Sequence, residues 1–486
     1  MILKNAQSPK FRVLSDEQCE QLFQAALACL ERVGMRVFNP EGRELLASAG
    51  ATVEGELVRL PAALVRRALR TAPAEFSVWR RDGSEVRVAL DRVLFGPGPT
   101  CTYFVDPATG ARRKARRGDA GLTAKVCDAL ENIDYVMGLS LFDDVTPVLS
   151  PVYEFAESMA NTSKLLVAWA NSNATLQDID AMAAAVAGGE AALRAKPNYI
   201  FFTTYESPLK LAHDPVANLL WCAEHNVPSI CLGGPTVGLE SPFTGASALV
   251  VHLANVLCAL TLVQLKKPGA AFVDGGVPSM MDLRSGRPAY GSPEMSRHSA
   301  AAVDLARHLK LPFMGTAGAS ESKRLDLQAG VEAALQVLLS ALSGASLVHD
   351  VGFLDCADIG SLPYLVLADE IVAMAKRVLR GVAVSPETIM LDLIEKVGPG
   401  GLFLAEPRSA ALCRKEAWVP TVFDRSAFAL WDKAGQPQAE RLVQEKLDKI
   451  LKSHVPAPLP AGVPEAFEAI LQRAEERERR RLQNAA

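Results

Sequence analysis

Aromatic, acidic and basic side chains stand where several short β-rich runs of this sequence end. Tyr103 and Asp106 follow the first run, Tyr205 and Glu206 close the fourth, Glu321 and Arg324 follow the seventh, and His349 and Phe353 lie in the eighth. Aromatic rings together with carboxylates bind a permanent cation, because they replace the water that the cation loses. The set therefore predicts a binding site for a small cation, although each ring taken alone is equally typical of core packing.

His349 and Asp350 are adjacent in the eighth run, so an extended strand is expected to point them to opposite faces. We expect His349 to reach the end of the strand and to donate a hydrogen bond to an anionic group of a ligand. Arg324 is the rival donor, since guanidinium binds carboxylate through two hydrogen bonds. A buried structural histidine is the alternative interpretation.

Motifs for other chemistries are missing from the sequence. It has no GxSxG nucleophile motif, and GPGG at 398–401 lacks the frame of a phosphate loop. His225 after Cys222, and Cys356 after His349, lack the paired spacing of structural zinc ligands. We predict no bound metal and no catalytic residue pair, with a zinc site assembled from distant strands left open as an alternative.

The elements that would position these side chains form a repeat. Eight β-rich runs alternate with helical stretches at roughly the 30 to 40 residues of a βα unit. No GxGxxG follows the first run, which argues against a dinucleotide-binding domain. The prediction is an α/β fold, a (β/α)8 TIM barrel over 91–380, with its site at the carboxyl ends of the strands. The runs are 93–99, 135–140, 165–170, 199–205, 229–234, 270–276, 312–318 and 346–354.

Three further regions flank the predicted barrel. Residues 1–90 are interpreted as a cap region, with helices over 15–34, 40–49 and 61–69 and strands over 76–90. Residues 381–454 are expected to form an extension that packs on the barrel. Residues 455–486 read as a proline-rich linker and an exposed, charged terminal helix.

Composition narrows the class of protein. The chain has 486 residues, 49% of them hydrophobic, and a net charge of −4, which gives no basic footprint for nucleic acid. Nine scattered cysteines and an N-terminus without an apolar leader favour the cytoplasm. The apolar stretch 246–265 is interpreted as a buried helix and not as a membrane span.

The order and spacing of several segments resemble the trimethylamine methyltransferase family. They are ERVGMRVFNPEGRELLASAGATVEG, FGPGP, VDPATGARR, TTYESPLKL, GTAGASESKRLDLQAGVEA with Gln328 and Glu332, LVHDVGFLD, VGPGGLFL and WVPTVFDRSAFALWDKAG. The resemblance implies a (β/α)8 barrel. Family members that use trimethylamine carry pyrrolysine, which this sequence lacks, so it is similar to the non-pyrrolysine branch.

This branch implies demethylation of a quaternary amine, such as glycine betaine, with transfer of the methyl group to a corrinoid on a partner protein. The resemblance carries the substrate pocket over to His349 and Phe353, and more weakly to Asp106. It implies no tightly bound cofactor, and we expect a homo-oligomer.

The sequence is also compatible with two other functions. One is another barrel enzyme, such as a zinc-dependent methyltransferase or a lyase with a Schiff base on Lys323. The other is a protein that binds a quaternary amine or a corrinoid protein without catalysis.

Overall fold

The computed structural model describes residues 8–485, and its N-terminal region is built from short helices and strands. Ser15 begins the first helix with a capping box that includes Gln18, and Asn39 caps the second helix by accepting from the amide of Gly42. The helices predicted for this region are confirmed. The elements are α1 Asp16–Arg32, β1 Met35–Val37, α2 Pro40–Ser48, β2 Thr52–Glu54, β3 Leu57–Arg59, α3 Ala62–Thr71, β4 Phe76–Trp79 and β5 Glu85–Val88.

Strands and helices then alternate. The first part contains β6 Leu94–Phe95, β7 Tyr103–Val105, β8 Arg112–Lys114, α4 Arg117–Ala129, β9 Tyr135–Val136, α5 Ser150–Asn161, β10 Leu165–Trp169, α6 Asn173–Ala187, α7 Glu190–Ala195, β11 Tyr199–Thr204, β12 Lys210–Leu211 and α8 His213–Glu224. The second part contains β13 Ser229–Gly233, α9 Gly245–Lys266, β14 Phe272–Gly276, α10 Pro293–Leu309, β15 Phe313–Thr316, α11 Leu327–Ser343, β16 Leu347–His349, β17 Phe353–Leu354, β18 Ile359–Gly360 and α12 Leu362–Leu379.

Eight of these strands form one parallel sheet in the order β6-β16-β15-β14-β13-β11-β10-β9. Each lies in one of the eight predicted runs, so the predicted (β/α)8 barrel is confirmed. Alternate side chains of every strand fill the interior, where Leu165, Ile200 and Val273 belong to one apolar cluster. The intervening side chains, such as Phe201 and Phe272, pack outward under the helices.

The barrel closes between its first and second strands, β6 and β9, through bonds at both ends of the seam. At the amino end, the amide of Asp134 donates to the carbonyl of Phe95 at 2.7 Å, and the amide of Phe95 donates to Asp134 Oδ2 at 2.9 Å. Lys376 of α12 donates to the same carboxylate oxygen at 2.8 Å. At the carboxyl end, Cys101 and Ser140 form a parallel bridge. Asp134 thus connects the two strands of the seam to the outer helix α12.

The antiparallel hairpin of β4 and β5 fills the amino end of the barrel. Val78, Val86 and Val88 belong to the interior cluster, and the amide of Trp79 donates to the carbonyl of Pro197, just before β11. Because apolar side chains close the amino end, a site can form only at the opposite end, at the carboxyl ends of the strands.

The long apolar helix α9 lies inside the protein. It packs against α1, α2, α3 and α8 on its outer side and against β13 and β14 on its inner side. Among the described residues, α9 is the one helix long and apolar enough to cross a membrane, and most of its length is buried. Its composition follows from contact with protein on nearly every side.

Six α-helices follow the barrel within the described residues up to 485. Buried Glu370 of α12 accepts three hydrogen bonds, from the Thr421 amide and hydroxyl and from the Val422 amide, and so fixes the segment around 421. The helices are α13 Pro386–Ile389, α14 Leu391–Val397, α15 Pro407–Glu416, α16 Phe428–Lys433, α17 Ala439–Ser453 and α18 Val463–Ala485.

The expectation of an exposed terminal helix is wrong in one respect. Phe467, Ile470 and Leu471 of α18 are buried where the helix packs against α5 and α6, and Arg477 pairs with Asp178. The charged residues that suggested full exposure occupy only the outer face of an amphipathic helix.

Replacing Asp134 by Ala should destabilise the fold by about 1–3 kcal/mol, because the Phe95 amide and the Lys376 ammonium both lose a charged acceptor. Urea unfolding followed by circular dichroism measures the change. Asp143→Ala, at an exposed position, is the matched control and should change stability by less than about 0.5 kcal/mol. Equal midpoints for the two variants would contradict this role of Asp134 at the seam.

Candidate functional site

Three side chains meet in the barrel interior near the carboxyl ends of their strands. Thr316 of β15 and His349 of β16 are neighbours in register, and the Thr316 hydroxyl lies 3.0 Å from His349 Nε2. The Phe202 ring of β11 meets the His349 ring edge to face, with centroids 6.1 Å apart. All three are buried. His349 is therefore in the position predicted for it, inside the barrel at the end of the eighth strand.

Asp350 lies beside His349 and not on the opposite face, so the expected alternation is wrong here. Strand β16 ends at His349, and Asp350 adopts a left-handed conformation with φ +73°. This turn brings Asp350 Oδ1 to 2.5 Å from His349 Nδ1. Left-handed backbone is costly for a residue with a side chain, and such strain is typical of functional sites. The structure thus has a buried carboxylate–imidazole pair where the sequence predicted one side chain.

Aromatic side chains lie near the Asp350 carboxylate. A Cβ atom placed on Gly98 would lie 2.2 Å from Asp350 Oδ1 and 2.9 Å from the Phe353 ring, so the glycine makes room for both side chains. Tyr135 and Tyr290 are close by: burial raises the pKa of each well above its usual range, and the charge of Asp350 adds to the effect. Phe353, predicted from the sequence, is fully buried in this group. The arrangement brings one carboxylate near three aromatic side chains.

The loop 277–292, between β14 and α10, runs across this end of the barrel. Its Met280 pairs with Val237, which follows β13, and its Pro288 carbonyl accepts from Cys356, which follows β16. Arg287 binds Asp355 with a 3.0 Å contact between Nη1 and Oδ1. The loop therefore contacts the loops that follow β13 and β16.

Glu321, a predicted site residue, fastens this loop. Its Oε1 accepts hydrogen bonds from the amides of Tyr290 at 2.5 Å and Gly291 at 3.2 Å. Its carboxylate is thereby engaged with backbone, next to the ring of Tyr290. The structure thus brings Glu321 to the edge of the site.

Tyr205 lies on the outer face of the sheet and not at the barrel mouth. Its hydroxyl is 2.8 Å from His252 Nδ1 of α9, and His252 Nε2 is 3.2 Å from Asp274 Oδ1. All three side chains are buried between the sheet and α9. Counting along β11 explains the placement, since Tyr205 is three residues from the inward-facing Phe202.

The other predicted residues lie at the surface or beside it. Glu206 is exposed and 3.5 Å from Lys210. The Tyr103 ring is covered by Arg112, whose guanidinium carbon lies 3.3 Å from the ring centroid. Arg324 is exposed in the loop before α11. None of these contacts involves His349 or Phe353.

Asp106 stands at the turn of the β7–β8 hairpin and accepts from the amides of Ala108 and Thr109. Arg113 donates to its other oxygen at 2.9 Å and is the main reason that the pKa of Asp106 falls to about 2. The carboxylate therefore serves the hairpin in this structure and is not brought to Asp350.

The described residues give no structural support to the metal-site and Schiff-base alternatives. Within residues 8–485, no three His, Cys, Asp or Glu side chains are grouped as a metal site would require. His225 stacks on Trp221 with centroids 4.0 Å apart. Lys323 is largely exposed and donates to the carbonyl of Glu321.

Sequence reasoning missed Thr316, Phe202, Tyr135, Tyr290 and the pairing of Asp350 with His349. The signal for three of them was available. Counting by twos along the strands places Phe202 with Ile200, Thr316 with Met314 and Tyr135 with Met137, all toward the interior. The position of Tyr290 depends on a long loop, for which the sequence has no comparable periodicity.

We expect Glu321→Ala to loosen the loop 277–292, because two backbone donors lose their carboxylate. Amide hydrogen exchange at Tyr290 and Gly291, read by mass spectrometry of the peptide around them, should accelerate by roughly tenfold or more. Glu206→Ala, which removes an exposed glutamate, should leave that peptide unchanged. Unaltered protection in the Glu321 variant would show that the loop is held by other contacts.

Comparison with known proteins places this chain among methyltransferases. The sequence model described as "Trimethylamine methyltransferase (MTTB)" matches residues 2–478. The trimethylamine methyltransferase MttB2 of Methanosarcina mazei is 31% identical over 95% of this chain and 95% of its own length. The glycine betaine methyltransferase of Desulfitobacterium hafniense is 28% identical over 96% of this chain and 98% of its own.

The fold is also known from a solved structure. The monomethylamine methyltransferase MtmB of Methanosarcina barkeri superposes with a TM-score of 0.51, covering 92% of this chain and 89% of that one, at 11% sequence identity. This likeness concerns the fold alone. Since the family match extends over nearly the whole sequence, this chain belongs to the trimethylamine methyltransferase family and is a methyltransferase.

Proposed function

We propose that this enzyme moves a methyl group from a quaternary amine, glycine betaine or a similar betaine, to the cobalt(I) of a corrinoid carried by a partner protein. The observation that carries the proposal is the buried His349–Asp350 pair among aromatic rings at the carboxyl end of the barrel. A relative at 28% identity is named a glycine betaine methyltransferase, which supports the choice of substrate class.

The cationic end of the substrate fits the surroundings of Asp350. A quaternary ammonium has no N–H to donate, so only charge and ring faces hold it. Asp350 supplies the charge, and Phe353, Tyr135 and Tyr290 supply rings around it. The bound cation in turn compensates a carboxylate that is 2% exposed.

The carboxylate end of a betaine fits the other side of the pair. When His349 carries both protons, Nδ1–H donates to Asp350 and Nε2–H is left for Thr316 or for a substrate carboxylate. Asp350 thereby acts at both ends, holding the ammonium and orienting the histidine. Arg324, the rival donor, lies in an exposed loop.

The chemical step needs little from the protein beyond position. One C–N bond of the ammonium breaks, its electron pair stays on nitrogen to give a neutral tertiary amine, and the methyl group forms its new bond with two electrons from cobalt(I). No proton moves, so no general base is required. The sequence contains only the standard amino acids and no pyrrolysine, which suits a substrate that is already cationic.

This chain's own residues bind the amine, point one methyl group toward the barrel mouth and exclude water. The corrinoid is treated as a second substrate, delivered by its partner protein. The loop 277–292 crosses the end of the barrel that the partner would approach, so its contacts must change for transfer to occur. We assign no tightly bound cofactor to this chain.

Two further expectations belong to this proposal. The nine cysteines all lie within the described residues and are free thiols, which suits a cytoplasmic enzyme. The homo-oligomer stays a prediction, and the exposed apolar side chains Leu327, Val331 and Leu335 of α11 give a surface on which to test it.

The test of the function is methyl transfer by the purified chain. With free cobalamin reduced to cobalt(I) as acceptor, glycine betaine should give dimethylglycine and the absorbance of methylated cobalt. Trimethylamine in the same assay should give much less product, since it lacks the permanent charge. Transfer from trimethylamine alone would overturn the substrate class. Tight binding of betaine without turnover, including with corrinoid protein, would favour a non-catalytic binding protein.

Phe353→Leu should weaken betaine binding by about 1–2 kcal/mol, because it removes a ring face from the cation while nearly keeping the volume. Isothermal titration calorimetry measures the affinity, and thermal melts measure the accompanying loss of packing. Phe155→Leu is the matched control, since Phe155 is a buried ring of α5 that packs on Tyr199 outside the barrel. A loss of affinity equal in both variants would mean that only stability had changed.

A further inference from the structure

A second buried carboxylate stands at the carboxyl end of the barrel, on the far side of β9 and β10 from the interior. Glu154 of α5 is 4% exposed. Its Oε2 accepts a hydrogen bond from the indole nitrogen of Trp169 at 3.1 Å, and its Oε1 accepts from the amide of Gly138 at 2.9 Å. The carboxylate therefore connects an outer helix to the ends of two barrel strands.

The Glu154 carboxylate occupies space that the backbone leaves open at Gly138. A Cβ atom on residue 138 would lie 2.3 Å from Glu154 Cδ, so only glycine leaves space for the carboxylate at this point of the chain. Trp169 is half-buried and packs against the interior cluster of the barrel. Its indole nitrogen is thus turned outward to Glu154 while part of its ring belongs to the interior.

Trp169 is also next to the candidate site around the barrel. It is the register partner of Phe202 on the adjacent strand, and the Phe202 ring meets His349. Trp169, Phe202 and His349 therefore belong to one layer of interior side chains at the carboxyl end. Trp169 is the largest ring of this layer, and its indole nitrogen donates to Glu154.

We propose that Glu154 is a positioning residue, which holds Trp169 at the barrel mouth and, as an anion on its N–H, strengthens the attraction of the indole face for the substrate cation. An anionic acceptor polarises the N–H bond and pushes electron density into the ring, and cation–π attraction grows with the negative charge of the ring face. The inference rests on the proposed function, since it needs a quaternary ammonium as ligand.

Glu154 is expected to ionise near neutral pH, where its effect on binding can be measured. Burial raises its pKa to about 7, while the hydrogen bonds from Trp169 and Gly138 act in the opposite direction. The anion therefore forms only as the pH rises through about 7, and cation affinity should rise with it.

Other titratable groups near α5 are committed elsewhere. Tyr135 of β9 faces the barrel interior, and Lys164 at the start of β10 donates to the carbonyl of Cys127 at 2.7 Å. The other pairs are Arg117 of α4 with Glu157, Asp128 of α4 with His454, Glu475 of α18 with Tyr153, Arg477 of α18 with Asp178, and Arg194 of α7 with Asp180.

The raised pKa of Glu154 makes the folded state less stable above about pH 7 than at about pH 5. An acid whose pKa is higher in the folded state than its usual 4.5 binds its proton more tightly when folded. Stability is then lost as the pH rises from about 4.5 to about 7, and the loss persists above that range. Glu154→Gln, which cannot ionise, should therefore be more stable than the wild type at about pH 8, relative to the same comparison at about pH 5.

The test is the pH profile of binding by the full-length enzyme, with tetramethylammonium and glycine betaine as probes in calorimetry from about pH 6 to about pH 8. Wild-type affinity for tetramethylammonium, which has no carboxylate for His349 to bind, should rise across this range. Glu154→Gln should bind roughly five- to tenfold more weakly at the upper end and show a flattened profile. Trp169→Phe keeps a ring without the N–H, so adding it to Glu154→Gln should cost little more than either change alone.

Glu157→Gln is the matched control, a glutamate on the same helix whose carboxylate pairs with Arg117 and not with Trp169. It should keep the wild-type pH profile. If Glu154→Gln binds both probes with wild-type affinity and profile, the inference is overturned while the proposed function stands. If the wild type itself binds neither probe, the proposed function fails, and this role of Glu154 fails with it.

Discussion

Closure of eight parallel strands into a barrel forces every second side chain toward one shared interior, and the candidate site depends on that constraint. Thr316 and His349 meet because each stands an even number of residues beyond an inward-facing residue of its own strand, and the strands are in register. Tyr205 and Asp274 are polar too, but they stand at odd positions and lie under α9. The seam between β6 and β9 preserves this division, because a slip there would exchange the two faces.

The candidate site gains its second polar side chain where this alternation ends. A continuing strand would have sent Asp350 outward beneath the helices, as it sends Asp274. The left-handed backbone at Asp350 instead places a second polar group beside His349, in space that Gly98 leaves open. The strain and the burial of the charge both oppose folding, and nothing in the core requires either. Such features are typical of a position kept for a ligand, and a permanent cation would compensate the carboxylate.

The sequence was sufficient for the barrel because its signals were local and repeated. Apolar runs marked all eight strands, and caps such as Ser15 and Asn39 marked helices near their observed bounds. The strand pattern also predicted that His349 and Phe353 lie at the carboxyl end of the eighth strand, and they do. It gave no sign that Arg113 and Arg112 contact Asp106 and Tyr103 across a hairpin, or of the place of Tyr290, which depends on a long loop. The sequence did not indicate a role for Glu154 either, because that role depends on its hydrogen bonds with Gly138 and Trp169, which lie on two other elements.

Three buried carboxylates near the strand ends show three ways to hold a charge away from water. Asp274 is within ion-pair distance of His252 but without aligned hydrogen bonds, and it joins β14 to α9. Glu154 has two hydrogen bonds and no cation beside it, so its proton is retained to about pH 7. Asp350 has the imidazole of His349 at 2.5 Å, and the space beside Gly98 holds both its Oδ1 atom and the Phe353 ring. Of the three, Asp350 is the carboxylate to which our proposal assigns the substrate cation, since aromatic side chains lie near it, and the other two connect helices to the sheet.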